Sequence, residues 1–219
     1  MITLSLFDIV VFLLPAARWT LLLAGIAFAG GGVGALLLLL FRYSWPRLGE
    51  RSVRLFVDLF QGTPLLLQLF LVFFGLPLIG IEVSPLLAAG TALTLYASAF
   101  LVEIWRGCVD SIPRGQWDAS ASLGLRFVMQ MRLVILPQAL RVAVPPTVGF
   151  LVQLVKSTAL ASIVGFDELT RTGQIVANAT FEPFTIYGLV AIIYFAMCYP
   201  LSAGARRLER RLGGTRGAA

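Results

Sequence analysis

A handful of polar side chains stand where the surrounding sequence is apolar, and their spacing defines what chemistry the chain can do. Gln153, Lys156, Ser157 and Thr158 interrupt an otherwise uncharged run from Val142 to Phe166, and Lys156 is the only lysine in the chain. A cation there either snorkels to an interface or faces a wet cavity, and the residues alone allow both placements. Glu103 and Arg106 lie three residues apart at the end of an apolar run, hence on one helical face. They form either a structural ion pair or a polar contact for a passing solute. Gln61-Gly62-Thr63-Pro64, with Gln68 one turn further on, breaks another apolar run. Such a break inside lipid is either an entry kink or the lining of a cavity that satisfies the freed backbone groups. All of these groups recognise; none transforms. The chain has no histidine, and its two cysteines, Cys108 and Cys198, are 90 positions apart. The commonest general base and most transition-metal ligand sets are therefore missing, and no Gly-x-x-x-x-Gly-Lys cradle for nucleotide phosphates is present.

The elements that hold these groups are membrane spans. Of the 219 residues 58% are hydrophobic and 13% charged, with mean hydropathy +0.90, outside the range of soluble domains. The sequence predicts an all-α, polytopic membrane protein of one domain, 1–219, with about five spans near 19–41, 55–78, 86–105, 137–165 and 184–205. Residues 1–18 read as an interfacial lead-in without the basic start of a secretory signal. Gly30 and Gly34 are spaced for close helix packing. Pro137 suits the first turn of the fourth span, Pro145-Pro146 should bend or break it, and 167–183 reads as a polar loop. The net charge of +6 comes from arginine clusters between spans, which suits the positive-inside rule and excludes a nucleic-acid face. The segments after spans one and three and the tail hold four, four and five arginines, the last including Arg211 and Arg216; the other two loops hold only Arg171. That alternation puts the amino end outside and the carboxyl end in the cytoplasm.

The loop 112–136 is then cytoplasmic. Its polar, small-residue stretch fits a short helix, with Asp118 favoured at the positive end of the helix dipole and Gly124 leaving in a left-handed turn. Ala119, Ser120, Ala121 and Ser122 give it a low profile that a partner can approach closely.

At this point the residues resemble a known family. Asp118-Ala119-Ser120, Gly124 and Val134-x-Leu136-Pro137 resemble the EAA loop of ABC importer permeases, with Asp, Ser and Val for the usual Glu, Ala and Ile. Gly62-Thr63-Pro64-Leu65-Leu66-x-Gln68-Leu69, Glu103-Ile104-x-Arg106-Gly107, Ser111-Ile112-Pro113-x-Gly115-Gln116, Leu136-Pro137-Gln138-Ala139 and Lys156-Ser157-Thr158-Ala159-Leu160 resemble the polar amino-acid uptake branch (histidine, glutamine, glutamate and arginine type). The chain departs from that branch at Gln61, where Arg is usual, and at Ser157 and Ala159, where Asp and Ser are usual.

The resemblance implies a non-enzymatic permease subunit in a bacterial inner membrane. Its partners would be two cytoplasmic ATPase subunits that bind ATP and Mg, a second permease subunit (identical or paralogous), an external solute-binding protein and a polar amino acid. This chain would hold no cofactor of its own. Coupling to the ATPase would fall to Gln116, Trp117, Asp118, Ala119, Ser120, Leu123, Gly124, Leu136 and Pro137. The pathway would be lined from Gln61, Gly62, Thr63, Gln68, Glu103, Gln153, Lys156, Ser157 and Thr158. The competing functions are a stand-alone secondary transporter or channel, a permease for another small polar solute, and a membrane anchor for a cytoplasmic enzyme. Five unequal spans without an inverted repeat speak against the first.

Overall fold

The computed structural model describes residues 5–213, with side chains as far as Arg210. Arg216 lies outside the described residues, as does the side chain of Arg211. Among the described residues the regular structure is helical throughout: α1 Leu6–Ser44, α2 Pro46–Gly62, α3 Leu65–Leu78, α4 Pro85–Asp110, α5 Arg114–Ser122, α6 Phe127–Val164, α7 Leu169–Thr180 and α8 Pro183–Gly213. Four of these (α1, α4, α6 and α8) are long and apolar enough to cross a membrane, and α2 and α3 form a fifth candidate span bent by 100°.

Several boundaries differ from those predicted, each for a local reason. The amino-terminal lead-in is instead the first part of α1. Ser5 and Asp8 make a reciprocal capping box that starts the helix, and Ile9, Leu13 and Ala17 bury themselves against α7 and α8. The second span begins at Pro46 rather than at 55, because Pro46 opens a helix that runs to Gly62. The fourth starts at Phe127, ten residues before Pro137. A π-helical turn, Met131–Ile135, lies just ahead of Pro137, whose nitrogen has no proton for the carbonyl four residues back. The helix also continues through Pro145-Pro146 and tightens to 3₁₀ geometry over Thr158–Val164. The predicted loop 167–183 contains α7, a twelve-residue helix capped by Glu168.

The centre of the structure is the α1–α4 contact. Without an apolar driving force inside lipid, helices associate by close van der Waals packing, and small residues permit it. A Cβ on Gly30 would fall 2.9 Å from Thr94 Cγ2; one on Gly31 would overlap Ala97 Cβ, and one on Gly34 would overlap Ser98 Oγ. Leu23, Ala27, Ala35, Leu93, Ala97 and Leu101 extend this contact into the main core.

A second junction is polar. Glu168, fully buried, accepts from Tyr194 OH on α8 (2.8 Å), Thr20 Oγ1 on α1 (3.2 Å) and the Arg171 amide that opens α7 (2.9 Å). Thr20 Oγ1 in turn accepts from the Leu169 amide at 3.1 Å. One carboxylate thus ties three helices. Burying it is tolerable because its oxygens are hydrogen-bonded.

Two stability measurements check this account. Gly31→Val overpacks the α1–α4 contact and should lower unfolding stability of the detergent-solubilised protein by about 1–3 kcal/mol or more. Gly25→Val, at a position with nothing within 4 Å of its added Cβ, should leave the thermal midpoint nearly unchanged. Glu168→Ala strands the Arg171 amide and leaves the Tyr194 hydroxyl only Thr170 as a partner, and should cost about 1–3 kcal/mol. Hydrogen exchange along Leu169–Thr180 should accelerate with it, while Glu168→Gln, which keeps an acceptor, should retain most of the protection.

Candidate functional site

The loop between α4 and α6 is built from the inside outward. Pro113 precedes Arg114 with φ −54° and ψ 137°, which keeps Ile112 out of the helix and starts α5 immediately after. Ile112 is buried with Val109, Ile135 and Ala139, and this small cluster seats α5 at the shared ends of α4 and α6. Trp117 packs against the same cluster and stacks on Phe127, with ring centroids 6.4 Å apart and planes 20° from parallel. Ser120, one turn on, is also buried and donates to the Trp117 carbonyl at 2.8 Å. Trp117, expected on the docking surface, therefore turns part of its ring inward and roots the helix.

The outer surface is carried by Gln116, Asp118, Ala119, Ser122 and Leu123, all exposed, with Leu123 80% so. Asp118 does not occupy the positive end of the helix as predicted. It is the fifth residue of α5, because Pro113 takes the N-cap place five residues ahead of Asp118. The exit is as predicted. Gly124 has φ +75°, its amide donates to Ala121 O at 2.9 Å, and the Leu125 amide donates to Ser120 O at 3.3 Å. That pair of bonds is a Schellman motif. Gln138 ties the arrangement together: its Nε2 donates to Val134 O (2.8 Å) and to Gln116 Oε1 (3.3 Å), so the start of α5 is bonded to the turn beyond Pro137. Leu136 and Pro137 are exposed beside it.

The candidate pathway residues separate into two groups. Gln68 is 6% exposed and lines nothing; its Nε2 donates to Phe60 O (2.8 Å), Thr63 O (3.1 Å) and Thr63 Oγ1 (3.0 Å). Thr63 Oγ1 donates to Leu59 O at 2.7 Å. These bonds satisfy carbonyls freed where Pro64 ends α2, so Thr63 and Gln68 hold the bend beside Gly62. Thr158 is likewise buried, donating to Val155 O. Glu103 is held by Arg106 through two bonds of 3.0 and 2.7 Å, and Arg106 reaches on to Asp110 at 2.9 Å. The pair is made, with both side chains half-buried.

The second group remains accessible. Gln153 is exposed and donates to Tyr96 OH at 3.3 Å. Lys156 is exposed one turn later, and Ser157 is half-buried with its hydroxyl on Gln153 O. Gln61, also exposed, donates to Ala99 O. Tyr96, Ala99 and Glu103 lie along α4, which therefore meets Gln61 from α2 and Gln153 from α6. The sequence reading missed Tyr96 and Glu168; a hydroxyl within an apolar run was the available signal for the first, a carboxylate ahead of Leu-Thr-Arg the signal for the second.

This arrangement of a capped, inward-rooted helix at one end of a bundle has close counterparts. The "Probable glutamine ABC transporter permease protein GlnP" of Bacillus subtilis (strain 168) is 40% identical over 173 residues, covering 78% of this chain and 79% of that protein. The "Glutamine transport system permease protein GlnP" of Escherichia coli (strain K12) is 34% identical over 202 residues, 91% of this chain and 92% of its own. A crystal structure of an amino acid ABC transporter with histidines superposes with a TM-score of 0.89 at 30% identity, over 96% of this chain and all of the matched one. Residues 30–214, which run from the α1–α4 contact to the tail and include the whole loop between α4 and α6, match one family model, and the chain belongs to that family: the binding-protein-dependent transport system inner membrane components.

Proposed function

We propose that this chain is the membrane-spanning permease subunit of an ATP-driven importer of polar amino acids. The observation that carries it is α5: nine residues, fixed from within by Trp117 and Ser120 and stopped by Gly124, offering Gln116, Asp118, Ala119 and Leu123 outward. A rigid helix with a small-residue face suits a cleft in a partner ATPase and passes that partner's closure to α4 and α6 as a rigid-body movement. Relatives named for amino-acid transport, at 30–40% identity over most of the chain, support the solute class.

The arginines order the two sides. Arg42, Arg47, Arg51 and Arg54 lie at the α1–α2 turn, Arg114, Arg126 and Arg132 flank α5, and Arg206, Arg207 and Arg210 end α8. Under the positive-inside rule this end is cytoplasmic, the amino terminus is outside, and α7 with Arg171 faces the outer compartment. Two ATPase subunits would hold ATP and Mg, and a second permease, identical or paralogous, would complete the pathway. An external binding protein would deliver the amino acid. The chain would serve by changing shape, without catalysis of its own, in a bacterial inner membrane. Exposed Gln61, Gln153 and Lys156 would line the route, with Tyr96 beside them.

Reconstitution tests the reading directly: the chain should co-purify with an ATPase and take up amino acids only when ATP is supplied on the α5 side. Uptake by the chain alone would make it a secondary transporter or channel instead. Gly124→Val should leave membrane levels intact but reduce ATP-driven uptake about ten-fold, since a left-handed φ costs a residue with a Cβ about 1–2 kcal/mol and reshapes the exit of α5. Gly124→Asn, whose side chain tolerates that region, should retain most activity. Lys156→Ala should alter which amino acids compete for uptake while assembly stays normal; an unchanged competition profile would assign Lys156 to the lipid interface.

A further inference from the structure

Helix α6 is not uniformly stiff where it leaves α5. Its first turn, Phe127–Gln130, is α-helical, the next, Met131–Ile135, is π, and the α ladder resumes at Leu136. Within the π turn the Leu136 amide bonds Met131 O, five residues back. Pro137 then has no proton to donate, so one rung of the ladder is missing. Single π turns inside α-helices recur at functional sites. Here the irregular stretch separates the foot of α6 from the part long enough to span a membrane. A displacement applied at the foot would be spent in bending that stretch unless something braces it.

Two braces are present. The apolar one is the small cluster that seats α5: Met131, Val134 and Ile135 of the π turn pack there with Val109, Ile112 and Ala139. Apolar contact is non-directional and leaves helices free to slide or turn on one another. The polar brace is Gln138. Its Nε2 donates to Val134 O at 2.8 Å and to Gln116 Oε1 at 3.3 Å. The first bond reaches from the resumed α ladder back into the π turn. The second leaves α6 and ends on α5, and it is the one side-chain hydrogen bond between these two helices among the described residues. A hydrogen bond weakens steeply as its angle falls, so this pair fixes orientation where the apolar cluster cannot. Gln116 is exposed on the outer face of α5, whereas Gln138 is half-buried. The link therefore runs from the surface of α5 to the interior joint of α6.

We propose that Gln138 is a positioning residue that locks the π turn to α5, so that a displacement of α5 moves the long part of α6 instead of bending Met131–Ile135. It acts through Gln116 and Val134 and touches neither solute nor nucleotide. The inference rests on the transport function proposed above and names the joint through which that function reaches α6. Without the lock, a partner ATPase would still close on α5 and spend its ATP, while α6 lagged behind.

The test uses the complex reconstituted with its ATPase and binding protein. It reads amino acid taken up per ATP hydrolysed, with a labelled mixture of L-glutamine, L-glutamate, L-histidine and L-arginine. Gln138→Met keeps the length of the side chain and removes both bonds. Gln116→Met, at an exposed position, removes only the acceptor on α5. Each should lower the ratio about five-fold, the factor one hydrogen bond is typically worth, with hydrolysis continuing in the Gln138→Met complex. The double variant should be no worse than either single one, because both cut the same link. An unchanged ratio in Gln138→Met, whether uptake and hydrolysis both persist or both fall, would overturn the inference and leave Gln138 a folding residue. So would a double variant that loses about 25-fold, the product of two independent effects. Either result in a complex that still imports amino acids removes this inference alone, whereas an unaltered complex without ATP-driven uptake overturns the transport function itself.

Discussion

At Gly31 there is no room for even a methyl group between α1 and α4, and the rest of the bundle is arranged around that closeness. Lipid tails are as apolar as leucine, so burying leucines against one another gains little inside a membrane, and direct backbone approach has to supply the adhesion. Gly30, Gly31 and Gly34 face Thr94, Ala97 and Ser98 for this reason. Once α1 and α4 are fixed together, α2 packs back along α1 through Gly49, and α6 and α3 find α4 as their common surface. Helix α4 therefore also carries the polar contacts between spans: Ala99 for Gln61 and Tyr96 for Gln153, with the Glu103–Arg106 pair nearer its end.

A membrane interior also enforces strict accounting of polar groups. Most of those described here are closed off by hydrogen bonds, though Gln68 Oε1 is buried without a partner among the described residues. Gln68 and Thr63 occupy carbonyls at the α2–α3 bend, Arg106 occupies Glu103 and Asp110, and Glu168 is filled by Tyr194, Thr20 and the α7 amide. Gln61, Gln153 and Lys156, by contrast, stay exposed. Gln68 and Lys156 both look functional in an apolar sequence, and burial alone separates them.

Much of this was legible beforehand. The spans, the short helix between α4 and α6, the left-handed exit at Gly124 and the close packing at Gly30 and Gly34 all follow from apolar length and from what glycine permits. The misreadings share a cause. Residues 1–18 and 167–183 look like non-spanning segments by their polarity, yet both hold capping carboxylates, Asp8 and Glu168, whose hydrogen bonds start helices. Pro137 and Pro145-Pro146 were judged as boundaries, yet a π turn and tertiary contacts carry α6 through them. Asp118 was placed by charge, when the steric rule at Pro113 sets the start of α5. Distant contacts decided the rest: nothing in the sequence near Glu168 announces that Thr20 and Tyr194 will reach it.

Helix α6 leaves the Schellman turn after only two residues, Leu125 and Arg126, and runs without interruption for 38 residues. At 1.5 Å per residue that is a contour of about 57 Å, longer than the hydrocarbon layer. A shaft of that length, seized at its foot, is a lever: a tilt of about five degrees there carries the far end through about 5 Å by rotation alone, roughly the width of a side chain. Small strokes at the α5 end and large displacements at the far end are thus the same motion seen at the two ends of one helix.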